Sequence, residues 1–246
     1  MPAQAIDYAA SPYAIRNDLA TAHQRAWRRL SRPGTWLSGE QRIAIAQEAR
    51  HASHCTACRA IATSVAATAT AHDSCAPIDP VWVEVVHRVR TDASRLTDTW
   101  LQSLLSQGLS IAEFVEIVGV VATVTALDSF TDALSLERHL LPDPLPGAPV
   151  QILPSGAKPG LGRVPTVAPE DVTEEEADLY EGLSGAHIHR ALSLVPAEVR
   201  GFFELDTAMY LPDARLRDFG HQERALSHAQ IELLAARVSA LNRCYY

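Results

Sequence analysis

Apolar positions recur along this chain at spacings of three and four residues, and strict alternation is rare, so the pattern predicts an almost entirely helical protein. An amphipathic segment runs from about Tyr13 to Leu30 and is broken by Pro33-Gly34. Ser38 is placed to cap a second helix that continues towards His51. A third is expected to start near His54 and to carry the Ala/Thr-rich stretch from Arg59 to Ala71, stopped by His72 to Pro77. Asp79-Pro80 has the form of an N-cap followed by a first-turn proline, and the helix it opens shows Trp82, Val85, Val86 and Val89 on one side. A further helix is expected from about Ser94 to Gln107. Ser110 and Glu113 then form a capping box for a long buried helix reaching about Leu136.

The pattern changes after that helix. Between Pro142 and Pro169 lie eight of the chain's fifteen prolines and four of its twelve glycines, a composition that reads as a connector. Helical signals resume with a capping box at Thr173-Glu-Glu-Glu176, then Pro196 opening a helix towards Tyr210, then Ser227 capping a last one that runs into Cys244. The division that follows is an N-terminal helical unit over 1–140, a connector over 141–170 and a second helical unit over 171–246.

Composition narrows the function classes. Net charge is −8, and the densest basic spot, Arg25 to Arg29, fits a solvated helix face, so no nucleic-acid partner is expected. The most apolar run, Phe114 to Leu127, contains Glu116 and is bounded by Asp128. It is shorter than the roughly 20 residues of a membrane span, so no membrane partner is expected either. The N-terminal stretch carries Asp7 and no apolar run, which argues against a signal peptide. Four cysteines without an export signal predict reduced thiols and a cytoplasmic location.

Cys55-Thr56-Ala57-Cys58 is the one Cys-x-x-Cys of the chain. Laid without gaps over the segment that starts at Leu226, the segment from Leu37 matches at Ser38/Ser227, Gln41/Gln230, Ala46/Ala235 and Cys55/Cys244, which suggests an internal repeat of one helical motif. Two chemistries suit the complete pair. A dithiol at a helix N-terminus suits redox work, with Glu48, His51, His54 and His72 as candidates to move protons. Cys55, Cys58, His72 and Cys75 also have the spacing of a zinc site. Inert buried thiols are the third reading. His87 reads as a satisfied, partly buried histidine. His187 and His189 form a weaker metal candidate, with no acid or cysteine in register.

The segment Leu226-Ser227 to Glu232-Leu233, Ala235 and Asn242-Arg243-Cys244-Tyr245-Tyr246 resembles the motif helix of the AhpD-like alkylhydroperoxidases of the carboxymuconolactone decarboxylase superfamily. That motif has a glutamate, eleven residues, Cys-x-x-Cys, three residues and a histidine. Glu232 and Cys244 keep its first spacing, and its remaining positions would follow Tyr246. The first copy keeps Cys55 and Cys58 but has Ile43 at the glutamate position and Ala62 at the histidine position. Gly108 to Leu134 resembles the long second helix of the family.

The resemblance implies an all-α, AhpD-like fold, homo-oligomers, no cofactor, and reduction of hydroperoxides by a cysteine pair that a dithiol reductant protein regenerates. One thiolate attacks peroxide and becomes a sulfenic acid, and the other closes the disulfide. Cys55, Cys58, Cys244, Glu232, Glu48, His54 and His72 are then the catalytic candidates. The competing expectations are a non-catalytic helical oligomer holding zinc or inert cysteines, and a decarboxylase-like relative.

Overall fold

The computed structural model describes residues 5–64, 71–160 and 162–244, and among them the chain is all-α apart from one two-stranded ribbon. The helices are α1 (Asn17–Ser31), α2 (Gly39–Ala52), α3 (Thr56–Thr63), α4 (Pro80–Asp92), α5 (Asp98–Leu105), α6 (Ile111–Ala133), α7 (His187–Arg190), α8 (Pro196–Met209) and α9 (His228–Leu241). No helix among the described residues is long and apolar enough to cross a membrane.

The cap signals act as their chemistry requires. Ser38, Ser110 and Ser227 each accept from the backbone N–H three residues on, and Gln41, Glu113 and Gln230 reach back to the cap N–H, so all three helix starts are closed capping boxes. Asp79 accepts from the Val81 N–H ahead of Pro80. The expected boundaries shift elsewhere. α1 starts at Asn17 rather than Tyr13. The segment from Ser94 splits into a 3-10 turn (Ala93–Arg95) and α5, because Thr97 caps Trp100. Helix α3 ends at Thr63, and most of the expected continuation towards Ala71 falls outside the described residues. At Thr173 the hydroxyl bonds the Glu176 side chain instead of a backbone N–H, and the acidic run forms a single 3-10 turn, Glu174–Glu176.

The proline-rich connector holds strands β1 (Ala157–Lys158) and β2 (Thr166–Val167), which pair antiparallel. Val167 is fully buried, so this stretch is pinned to the helices by an apolar side chain as well as draped over them.

Helix α6 explains why its sequence is apolar on all sides. Ile117, Val120, Val121, Val124 and Leu127 pack with Trp27, Leu30, Ile45, Ala49, Val85 and Val86 in one core, while Ala112 and Val115 pack with Leu179, Leu194, Val199 and Phe203 in another. Helix α8 supplies Leu205 to the first core and Phe203 to the second, and it lies against α1 and α6.

Glu116 and Asp128 of α6 are buried with partners. Arg42 of α2 donates to Glu116 at 2.5 Å and to Glu198 of α8 at 2.7 Å, all three side chains being inaccessible to solvent. A Cβ on Gly34 would stand 1.7 Å from Glu116 Oε1, so glycine is required where the Pro33-Gly34 break passes this cluster. Of the basic spot in α1, Arg25 pairs with Glu204, while Arg29 donates to Thr123 and lies where a Cβ on Gly201 would stand. Arg29 is therefore a packing residue, not part of a solvated face.

Candidate functional site

Helices α2, α3 and α4 meet around the dithiol. Cys55 is the N-cap of α3, with extended backbone dihedrals, and Cys58 lies one turn on, so both thiols occupy the positive end of the helix. Asp73, from the segment between α3 and α4, accepts from the Thr56 N–H at 3.0 Å and closes the start of the helix from outside. Both thiols are buried, and all four cysteines of the chain are free.

Glu48 organises the surroundings. It is fully buried on α2, and its Oε2 accepts from the Cys75 N–H at 3.0 Å, the Ala76 N–H at 2.9 Å and the Ser74 hydroxyl at 3.2 Å. These bonds hold the loop that carries His72. Its Oε1 lies 2.7 Å from His87 Nε2. Burial pushes the Glu48 carboxyl up, but the His87 ring and the loop N–H groups outweigh it and hold the pKa below the usual range.

An ionised Glu48 can only accept, so His87 carries its proton on Nε2. Burial keeps His87 below the ordinary imidazole pKa, against the pull of Glu48, and the ring is therefore neutral. Its Nδ1 then presents a lone pair to Cys58 Sγ, 3.1 Å away, and the thiol donates.

A second chain of contacts runs parallel to this one. Trp100 Nε1 donates to Glu84 Oε1 at 2.8 Å, and Glu84 Oε2 is 2.8 Å from His72 Nε2. His72 Nδ1 lies 3.4 Å from Cys58 Sγ and 3.7 Å from Cys55 Sγ. Burial lowers the His72 pKa, yet the two sulfurs and Glu84 together raise it to about 10. Burial likewise raises the Cys55 thiol, but the Cys58 backbone N–H and the His72 ring bring it below the ordinary value. The Cys55 thiol is thus shifted towards its thiolate, beside a His72 ring held in its protonated form.

The structure brings together Cys55, Cys58, His72 and Glu48 of the sequence candidates. His54 is exposed beside them and makes no side-chain hydrogen bond to the cluster. His51 faces the His87 ring edge-on at 6.2 Å. Cys75 departs from the expected metal set: it is exposed, with its sulfur 3.8 Å from the Gln47 carbonyl, because Glu48 binds its backbone and turns its side chain outward. The four donors that meet are Cys55, Cys58, His72 and His87, with ligand atoms all within 4.8 Å of one another. His87 thus replaces Cys75, and a Cys2His2 set of this kind can hold a metal ion.

In the last helix, Glu232 accepts from the Tyr210 hydroxyl at 2.5 Å and lies 3.3 Å from His228 Nε2, while Cys244 is exposed past the end of α9. Tyr245 and Tyr246, part of the motif that carries the family resemblance, lie outside the described residues. His189 is buried against Asp213 and Ser184, and His187 is exposed, so that pair does not converge on a site.

Sequence reasoning missed His87, Glu84 and Trp100. The signal was present: Glu84 and His87 sit three residues apart on one helix, so they share a face. Their apolar neighbours made His87 look like a core residue. Compared with models of protein families, with curated proteins and with solved structures, the chain matches none.

Proposed function

We propose that this chain is a thiol-dependent hydroperoxide reductase of the AhpD-like kind, working through Cys55 and Cys58 as a homo-oligomer recharged by a dithiol reductant protein. The observation that carries the reading is the buried relay Glu48–His87–Cys58, which ends at one thiol of a pair whose other member faces the His72 cation. Inert core cysteines need no base behind them.

The chemistry follows from the proton positions. The Cys55 thiolate attacks the terminal peroxide oxygen and the O–O bond breaks. The departing alkoxide takes the proton of His72, giving an alcohol and a Cys55 sulfenic acid. Cys58 then gives its proton to His87, whose cation Glu48 stabilises, and the new thiolate attacks the Cys55 sulfur. Hydroxide leaves and collects that proton as water. Two thiols and one hydroperoxide thereby become one disulfide, one alcohol and one water.

The test is a count of free thiols in a Cys75→Ser, Cys244→Ser background, which removes the two exposed cysteines. One equivalent of hydroperoxide is expected to consume both remaining thiols, and a dithiol to restore them. An unchanged thiol count refutes the reading.

A further inference from the structure

The two histidines share a feature that proton transfer alone does not require. Each turns Nδ1 towards the sulfurs and has its Nε2 against a carboxylate, Glu48 for His87 and Glu84 for His72. A carboxylate on the far nitrogen fixes the ring and its tautomer and makes the near nitrogen a better ligand, the arrangement found behind metal-bound histidines. The two rings come from different parts of the chain, the loop and α4, yet converge on the same pair of sulfurs.

Several of the donor separations lie near those of a zinc site, and all lie within 4.8 Å. A tetrahedron with Zn–S near 2.3 Å and Zn–N near 2.0 Å has edges of roughly 3.3–3.8 Å. Three of the four sulfur-to-nitrogen separations are 3.1 Å for Cys58–His87, 3.4 Å for Cys58–His72 and 3.7 Å for Cys55–His72. Two sulfurs and two imidazole nitrogens are a donor set that selects zinc over the oxygen-seeking cations. Two thiolates also neutralise a divalent ion within the buried site. The ion would tie α3, the loop and α4 together at one point.

We propose that Cys55, Cys58, His72 and His87 bind one zinc ion, and that this ion shields the dithiol until hydroperoxide oxidises the sulfurs and releases it. The binding rests on the four donors alone, and the release rests on the redox reading given above. The release step balances. Two zinc-bound thiolates give two electrons to the O–O bond, an S–S bond forms, and two protons from solvent convert the peroxide oxygens into alcohol and water. Zinc leaves as the free dication, because a disulfide is a poor ligand.

The experiment uses the reduced, metal-free full chain, titrated with zinc under a competing metallochromic chelator and, in parallel, with cobalt followed by its absorption. One metal per chain and a tetrahedral, thiolate-bound cobalt spectrum are expected. Cys75→Ser is expected to bind as the parent does, and Glu84→Gln to bind about 10–100-fold more weakly while staying folded. A stoichiometry well below one overturns the site, and so does loss of binding in Cys75→Ser. Hydroperoxide is then added to metal-free and zinc-loaded protein. Zinc release in step with the loss of two thiols is expected. Thiol loss in the metal-free protein with zinc and thiols retained indefinitely in the loaded protein overturns release and leaves the redox reading standing. No thiol loss in the metal-free protein overturns both the redox reading and the release, and leaves the zinc site standing.

Discussion

His87 Nε2 lies 2.7 Å from Glu48 Oε1, and both side chains are fully out of contact with solvent. A carboxylate so placed must have every lone pair used, and Glu48 does so by accepting from His87, from two loop N–H groups and from Ser74. One residue thereby sets the His87 tautomer and the path of the loop that presents His72.

Glu48→Gln keeps the shape and removes the acceptor at one end. The amide nitrogen must face either the loop N–H groups or the His87 Nε2–H, and donor meets donor in both cases. If the ring escapes by moving its proton to Nδ1, it no longer accepts from Cys58. We expect the variant to lose about 1.5–3 kcal/mol of stability in urea unfolding. Disulfide closure by hydroperoxide should slow by about a hundredfold or more. Stopped-flow thiol loss that matches the parent would separate Glu48 from the chemistry.

Glu84→Gln tests the other relay more gently. The glutamine oxygen can still accept from His72, leaving the amide nitrogen against the Trp100 Nε1–H, and the charged hydrogen bond becomes a neutral one, a loss of about 1 kcal/mol from the ion that faces Cys55. The Cys55 thiolate population should shrink accordingly. Alkylation by iodoacetamide at neutral pH should slow by about fivefold, while Cys244 in the same protein reacts at its parental rate.

The fold was legible where local chemistry decides it. The caps at Ser38 and Ser227, the capping box at Ser110 and the Asp79-Pro80 start need only neighbours in sequence, and they sit where the residues place them, whereas the box expected at Thr173 does not form. The site was half legible. Cys55 and Cys58 announce themselves by spacing, and Glu48 by its distance before them. His87 does not, because its role depends on α2 and α4 packing side by side, a long-range fact that its apolar helical neighbours conceal. Cys75 misled for the converse reason: its spacing suits a metal, but Glu48 takes its backbone and points the thiol away. Arg42 was invisible as a core residue, since its two carboxylates lie 74 and 156 residues further along.

Arg42 supports a third prediction. It is the common partner of Glu116 and Glu198, and its removal leaves two buried carboxylates facing each other with no cation in contact with them. Arg42→Leu should cost about 3–5 kcal/mol, the range for an orphaned buried charge. Adding Glu116→Gln and Glu198→Gln to it should recover most of that loss, because the repulsion disappears. Denaturant midpoints of the three proteins check this, and a single mutant as stable as its parent would show that the pairing adds nothing.

Stability towards acid supplies the last prediction, and His23 is the residue to watch. It is fully buried on α1, its Nδ1 is 2.5 Å from the Tyr8 hydroxyl, and its ring meets Tyr8 and Phe130 edge-on. Burial, and then the neighbouring His139, lower its pKa to about 4. Unfolded, the same ring titrates near 6.5. Between those two values the unfolded chain binds the extra proton and the native chain does not, so acid favours unfolding in that window. The native state is unaffected by this group above about pH 6.5, loses stability as the pH falls below it, and reaches a constant loss below about pH 4. At about pH 4.5 the loss from this one ring comes to roughly 2.5 kcal/mol. His23→Gln keeps an acceptor for Tyr8 but cannot titrate. Other histidines whose pKa values burial lowers, His139 and His189 among them, will leave a residual acid dependence in both proteins. The difference between the two proteins is therefore the measurement. Urea unfolding at about pH 7.5 and pH 4.5 should show the parent losing roughly 2–3 kcal/mol more than His23→Gln. Equal losses would mean that His23 accepts its proton within the folded chain.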